Sequence, residues 1–94
     1  MYFVGALEID DHVLEKIEAK HGIVFGEVES ACYSQNVHVR RSRNGLYKLF
    51  AQTEAGRYLL VVLVHASGGL WRVATARDMT AAEKGLYLRA TGRK

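Results

Sequence analysis

Proline is absent from this 94-residue chain, cysteine occurs once, and the longest apolar run is Tyr58–Val64, YLLVVLV. Each shortage removes a class of protein. A lone Cys32 cannot close an internal disulfide, which agrees with a reducing compartment. On the apolar side of a predicted helix, it reads as a core filler rather than a nucleophile. The apolar run falls far short of the roughly 20 residues needed to cross a bilayer, and no basic stretch precedes an apolar signal core at the N-terminus. A cytoplasmic protein with no membrane association is therefore expected. The histidines, at 12, 21, 38 and 65, show no ligand spacing on one helix and have no second cysteine beside them. The acidic group Glu8, Asp10 and Asp11 lies at a helix start, where carboxylates favour the dipole anyway. Ser67-Gly68-Gly69 joins two strands and so is not a phosphate loop. Neither a metal nor a cofactor is expected.

What is present is a balanced globular composition, 49% hydrophobic and 24% charged, of a size that buries one core, so residues 1–94 read as a single domain. The net charge of +3 is unevenly distributed. Residues 1–35 carry two lysines against seven carboxylates, −5, whereas residues 36–94 carry eleven lysines and arginines against three carboxylates, +8. A basic half suits a polyanion site. It suits equally a fold whose two halves attract each other.

Hydrophobic spacing changes twice along the chain. Val13, Leu14, Ile17 and His21 recur with helical period over Asp10–His21, with Asp10 as N-cap, Ile9 packing on Leu14 and Gly22 as C-cap. A second helix over Phe25–Tyr33 buries Val28, Ala31 and Cys32 and turns Glu27 and Glu29 outward. Period two then takes over: Val37–Arg41, Leu46–Thr53, Arg57–His65 and Leu70–Arg77 read as strands separated by Asn44-Gly45, Glu54-Ala55-Gly56 and Ser67-Gly68-Gly69. The third of these is nearly all apolar and is expected at the centre of the sheet. Thr80-Ala81-Ala82-Glu83 is a capping box, and Met79, Ala82, Leu86 and Ala90 mark the inward side of a helix ending near Gly92. With a short first strand at Tyr2–Val4, the expected fold is α+β: two N-terminal helices packed on a four-stranded antiparallel meander, closed by a C-terminal helix.

Without a metal, these side chains still suit phosphoryl chemistry on RNA. Attack by a 2′-hydroxyl needs a proton acceptor, fixed cations for the charge growing on phosphorus oxygens, and a proton donor for the departing 5′ oxygen. Strict alternation along the last strand puts Trp71, Val73, Thr75 and Arg77 on one face and Arg72, Ala74 and Ala76 on the other. Glu83 and Tyr87 lie one helical turn apart and meet Arg77 if the last helix folds back.

Ala74-Thr75-Ala76-Arg77, then Thr80, Glu83 and Tyr87, resembles the ending of BrnT-type toxins, ribonucleases of the RelE superfamily. Upstream, Asp10 followed by Lys20-His21-Gly22-Ile23 and Phe25 resembles the start of the same pattern, and the likeness runs over about residues 8–88. The chain departs from that pattern at Val13, Ile17 and Val24, where a lysine, an asparagine and a helix-capping serine are usual. The resemblance implies a RelE-like fold and a toxin of a type II toxin–antitoxin pair, cleaving RNA without metal and neutralised by an antitoxin protein encoded nearby. It makes Arg77 the catalytic phosphate-binding arginine, with Tyr87 placing or protonating the RNA.

Each candidate has a structural reading beside the functional one. Glu83 is a catalytic candidate and also the third residue of a capping box. His21 is a candidate acid–base group and also a helix-end cation. Arg40, Arg41 and Arg43 form a basic hairpin tip suited to an RNA backbone, with Lys48 and Arg57 on the following strands as further RNA-binding candidates. Tyr47 and Trp71 are base-stacking or core aromatics. Two functions stay open: a ribonuclease toxin, and, given Val13 and Ile17, a non-catalytic module of the same fold binding nucleic acid or protein. A homo-oligomer and a toxin–antitoxin hetero-oligomer are both compatible with the sequence.

Overall fold

The structure, a computed structural model, describes residues 3–92. The order is β1 (Ala6–Glu8), α1 (Asp11–His21), α2 (Phe25–Cys32), β2 (His38–Arg41), a short 3-10 turn (Arg43–Gly45), β3 (Leu46–Gln52), β4 (Tyr58–Ser67), β5 (Leu70–Asp78) and α3 (Ala81–Ala90). The α+β class holds, but the sheet has five strands in the order β1-β5-β4-β3-β2, and β1 runs parallel to β5. The four-stranded antiparallel sheet is thereby corrected to a mixed one. The first strand also forms later than Tyr2–Val4, of which Tyr2 lies outside the described residues. The amides of Gly5 and Ala6 both donate to the Gly69 carbonyl at 2.9 Å. A Cβ on Gly5 would come within 3.0 Å of that oxygen, so glycine is what admits the chain to the sheet edge.

The apolar β4 is the central strand, as its composition requires, paired with β3 and β5. Its alternate residues face two separate cores. Leu59, Val61 and Leu63 join Leu49, Ala51, Val28, Ala31 and Ile17 under α1 and α2. Leu60 joins Phe50 and Tyr87 beneath α3, with Tyr58, Met79 and Leu88 at the margin. The helices therefore lie on opposite faces of the sheet, α1 and α2 on one and α3 on the other. Cys32 is the expected core filler, and burial pushes its thiol up to about 12.

Strict alternation fails on β5. Leu63 pairs with Val73 but Val62 pairs with Thr75, so Ala74 is an extra residue, a β-bulge. The bulge shifts the phase by one. Trp71 and Val73 face the α1–α2 core, and after the bulge it is Ala76 that does so. Thr75 and Arg77, opposite Val62 and Leu60, move to the α3 face, correcting the placement of all four on one side. The inward side of α3 is likewise corrected. Tyr87 is its buried residue, with Glu83, Leu86 and Leu88 half-buried, while Ala82 and Ala90 are exposed. The ring area of Tyr87 outweighs the alanines that spacing alone favours.

Asp10 caps α1, its Oδ1 accepting from His12 N at 2.8 Å, and Gly22 ends the helix in the left-handed conformation at φ 64°. Val24 cannot cap α2 with its side chain, so Glu27 reaches back to the Val24 amide at 3.1 Å. Glu27 is thus turned inward, against expectation, because it is also held by Arg57. The Arg57 guanidinium donates from Nε and Nη2 to the two Asp78 oxygens at 2.7 and 3.0 Å. It also donates to the His21 carbonyl at 2.7 Å, the Gly22 carbonyl at 3.0 Å and the Glu27 carboxylate at 3.2 Å. These contacts hold the guanidinium more firmly protonated than a free arginine, the Asp78 hydrogen bond first, and pull Asp78 below its usual range. One side chain joins the end of α1, the start of α2 and the end of β5. Arg57→Ala should lower stability by about 1–3 kcal/mol in urea unfolding, since two carboxylates and two carbonyls lose their donor together.

Candidate functional site

The α3 face of the sheet is only partly covered. α3 lies over one end of it, while Leu46, Val62 and Val64 stay half-buried and Thr75 exposed on the remainder. Cross-strand register places residues of this face in rows. One runs His38, Phe50, Leu60, Arg77, and the next runs Arg40, Lys48, Val62, Thr75. Arg40 and Lys48, together with Phe50, Glu83 and Leu86, line a groove of about 350 Å³ between the hairpin and α3. Three cations therefore serve one open face, with the first turn of α3 between them.

Arg77 is fixed by Glu83. Its Nη1 and Nη2 donate to the two Glu83 oxygens at 2.7 and 2.8 Å, and Nη1 donates also to the Asp78 carbonyl at 3.1 Å. This pairing uses the end of the guanidinium fork. Nε–H and the second Nη2 N–H, which point the same way along the side of the fork, take no acceptor among the described residues. Arg57 spends that same side edge on Asp78. Arg77 thus keeps a bidentate edge available, with 38% of its side chain exposed. The pair keeps Arg77 above its ordinary value, Glu83 being the main cause.

Glu83 does three things at once. Besides gripping Arg77, its Oε1 accepts from the Thr80 amide at 2.9 Å while its own amide donates to the Thr80 hydroxyl at 3.1 Å, completing the capping box. The hydrogen bonds from Arg77, then the Thr80 contacts, hold its carboxyl down at about 2 against the opposing effect of burial. At neutral pH it is a fixed anion, poorly suited to proton transfer and well suited to positioning an arginine.

Tyr87 is brought near this pair but not into the open. It is fully buried, packs edge-on against Tyr58 at 6.0 Å between centroids, and its hydroxyl donates to the Asn36 carbonyl at 2.6 Å. That contact anchors α3 to the chain entering β2. His21 is not brought to Arg77. It ends α1 on the other side of the sheet and borders a separate pocket beside Thr75. Among the RNA-binding candidates, Arg40 and Lys48 share the α3 face, and Arg43 is exposed at the hairpin tip. Arg41 places its guanidinium over the Tyr47 ring at 5.8 Å, and Arg57 is wholly engaged in its structural contacts. Those contacts were out of reach of local patterns, because Glu27 and Asp78 lie 30 and 21 positions away. His38, a weaker candidate than His21 on sequence grounds, stacks beside Phe50 at 5.8 Å on the same face. Its alternation with Arg40 along β2 was the available signal for that placement. Another groove, of about 890 Å³, runs between α2 and the β3–β4 turn, past Glu29 and Glu54. It contains no cation and is unsuited to an anion.

No family model matches the sequence, and no curated protein matches it. The architecture nevertheless has a counterpart, and it defines the fold as that of the BrnT-type ribonuclease toxins, as the motifs imply. One similar solved structure is the crystal structure of the Brucella abortus ribonuclease toxin BrnT. The two superpose with a TM-score of 0.68 at 14% sequence identity, over 80% of this chain and 96% of that one.

Glu83 yields a pH prediction. Its folded value of about 2 lies below the ordinary 4.5, so the stabilisation it provides is complete above about pH 4.5 and disappears as pH falls toward 2. Glu83→Gln should cost on the order of 1–2 kcal/mol at neutral pH. In thermal melts across pH, the gap between wild type and variant should close through that window; a constant gap would show that the charge of Glu83 is not what stabilises.

Proposed function

We propose that the chain is a ribonuclease toxin of a type II toxin–antitoxin pair, cleaving RNA without a metal on the open α3 face of the sheet. The observation that carries this reading is Arg77, clamped end-on by Glu83 with its side edge left available to a phosphate. A guanidinium held in advance loses little freedom on binding and opposes the charge that grows on the phosphorus oxygens. The fold shared with a ribonuclease toxin and the two neighbouring cations Arg40 and Lys48 support the same reading.

In this reaction a 2′-oxygen attacks the adjacent phosphorus, the bond to the 5′ oxygen breaks, and a 2′,3′-cyclic phosphate and a 5′-hydroxyl end result. Arg77 binds the phosphoryl oxygens, and Arg40 and Lys48 hold the flanking backbone. Glu83 acts through Arg77 as a positioning residue, and Tyr87 supports α3 from below. Proton transfer falls to histidine, with His38 at the far end of the Arg77 row and His21 beside Thr75 as the two candidates. The partners of this activity are RNA in the cytoplasm and an antitoxin protein that covers the basic face, with an acidic segment matching its charge.

A second reading rests on one observation. Glu83 is a fixed anion and Tyr87 a buried anchor, so neither group nearest Arg77 moves a proton readily. A module that binds RNA or protein on this face without cleaving would have the same geometry.

Substitution of Arg77 separates the readings. Arg77→Ala should slow RNA cleavage by tens to about a thousandfold, roughly 2–4 kcal/mol of transition-state stabilisation, and abolish growth arrest on induced expression in bacteria. Arg77→Lys keeps the charge without the fork, so partial rescue would assign the effect to charge alone. Wild-type protein that binds RNA and leaves it intact would establish the non-catalytic reading. Tyr87→Phe should lower stability by about 1 kcal/mol and leave cleavage by the folded protein unchanged; a large loss of rate in stable protein would return Tyr87 to the chemistry.

A further inference from the structure

β1 ends at Glu8, opposite Arg72, so beyond that point the outer edge of β5 meets α1 instead of another strand. A cavity of about 230 Å³ opens there, lined by Lys16, Lys20, His21 and Thr75 over an apolar floor of Val13, Ile17 and Ala74. No carboxylate lines it. Neither lysine forms an ion pair among the described residues, whereas Arg57, Arg72 and Arg77 are each paired with a carboxylate. Lys16 and Lys20 are four apart on one helix face and repel each other, at some cost to the helix. Complementing the negative end of the helix dipole accounts for Lys20 and His21 in the last turn, but not for Lys16 in the middle. That negative end is itself offset, because Arg57 donates to the last carbonyls, of His21 and Gly22.

We propose that this cavity is a second phosphate-binding subsite for a single RNA strand, in which Lys16 and Lys20 bind one further backbone phosphate of the strand held by Arg77, with His21 and Thr75 lining the cavity beside them. Thr75, which lines the cavity, and Arg77 share the open face two residues apart, about 6.6 Å at some 3.3 Å per residue, so the cavity and the Arg77 fork border neighbouring positions of β5. The bulge at Ala74 puts Thr75 on the open face while the α1 edge stays within reach, so one RNA strand can pass from the Arg77 fork round the edge of β5 onto α1. The proposal rests on RNA being the ligand of the open face.

The test uses the full chain and an eight-nucleotide uridine RNA carrying 2′-O-methyl groups, which block attack by the 2′ oxygen. Binding is followed by fluorescence anisotropy through a salt series for wild type, Lys16→Gln/Lys20→Gln and an Arg89→Gln control on α3. Glutamine keeps the helix propensity, and thermal melts of the double variant should match or exceed wild type. The double variant should bind about tenfold or more weakly at low salt, and its log–log salt slope should fall by about 0.7, the contribution of one phosphate on a single strand. The control should stay near wild type. Equal affinity and slope for wild type and double variant would overturn the subsite. Binding of inorganic phosphate at His21 by NMR, with octamer binding unchanged by the substitutions, would overturn it in favour of a free-phosphate site. Loss of binding to polyglutamate but not to the octamer would overturn it in favour of an acidic protein partner. Cleavage of unmodified RNA is scored separately. Its absence alongside lysine-dependent binding would overturn the ribonuclease reading and leave the subsite standing.

Discussion

Two consecutive residues at the end of β5 tie both helical layers to the sheet. Because strand side chains alternate, Arg77 faces α3 and clamps Glu83, while Asp78 faces the other way and clamps Arg57. Arg57 in turn holds the last carbonyls of α1 and the first turn of α2 through Glu27. The geometry of Arg77 is therefore set from both sides of the sheet. Its own fork is held by one helix, and the backbone that carries it is held by the residue next to it.

This arrangement also explains the lopsided charge of the chain. Part of the acidic N-terminal third is spent on internal pairs, Glu8 with Arg72 and Glu27 with Arg57, so attraction between the halves does help build the fold. Among the other cations, Arg40, Lys48 and the available edge of Arg77 share one face, while Lys16 and Lys20 line the cavity at the edge of β5. Under the proposed function, the structural and polyanion readings of the charge thus apply to different residues.

Much of the fold was legible in the sequence because local rules fix it. Asp10 and Thr80 as caps, Gly22 as a helix end and the apolar β4 as the central strand all follow from groups within a few residues of each other. What escaped depends on contacts between distant segments. The parallel pairing of β1 with β5 joins residues more than sixty apart, and Arg57 looks like any basic strand residue until Glu27 and Asp78 are brought to it. The site was half legible for the same reason. Arg77 and Glu83 are close in sequence, while the separation of His21 from them is a matter of which layer each occupies.

The single extra residue at Ala74 divides β5 into two functional lengths. Before it, the inward side chains serve the larger core; after it, the opposite parity sends Thr75 and Arg77 to the open face. An insertion or deletion of one residue here would exchange the roles of every position downstream, turning Ala76 outward and burying a guanidinium. The two lengths can therefore accept substitutions on separate terms, the first limited by packing in the larger core and the second by the Arg77–Glu83 clamp, provided their junction keeps its odd count. A short motif compared across such a junction loses its phase whenever the bulge moves, so two chains can share a backbone while their letters fall out of step.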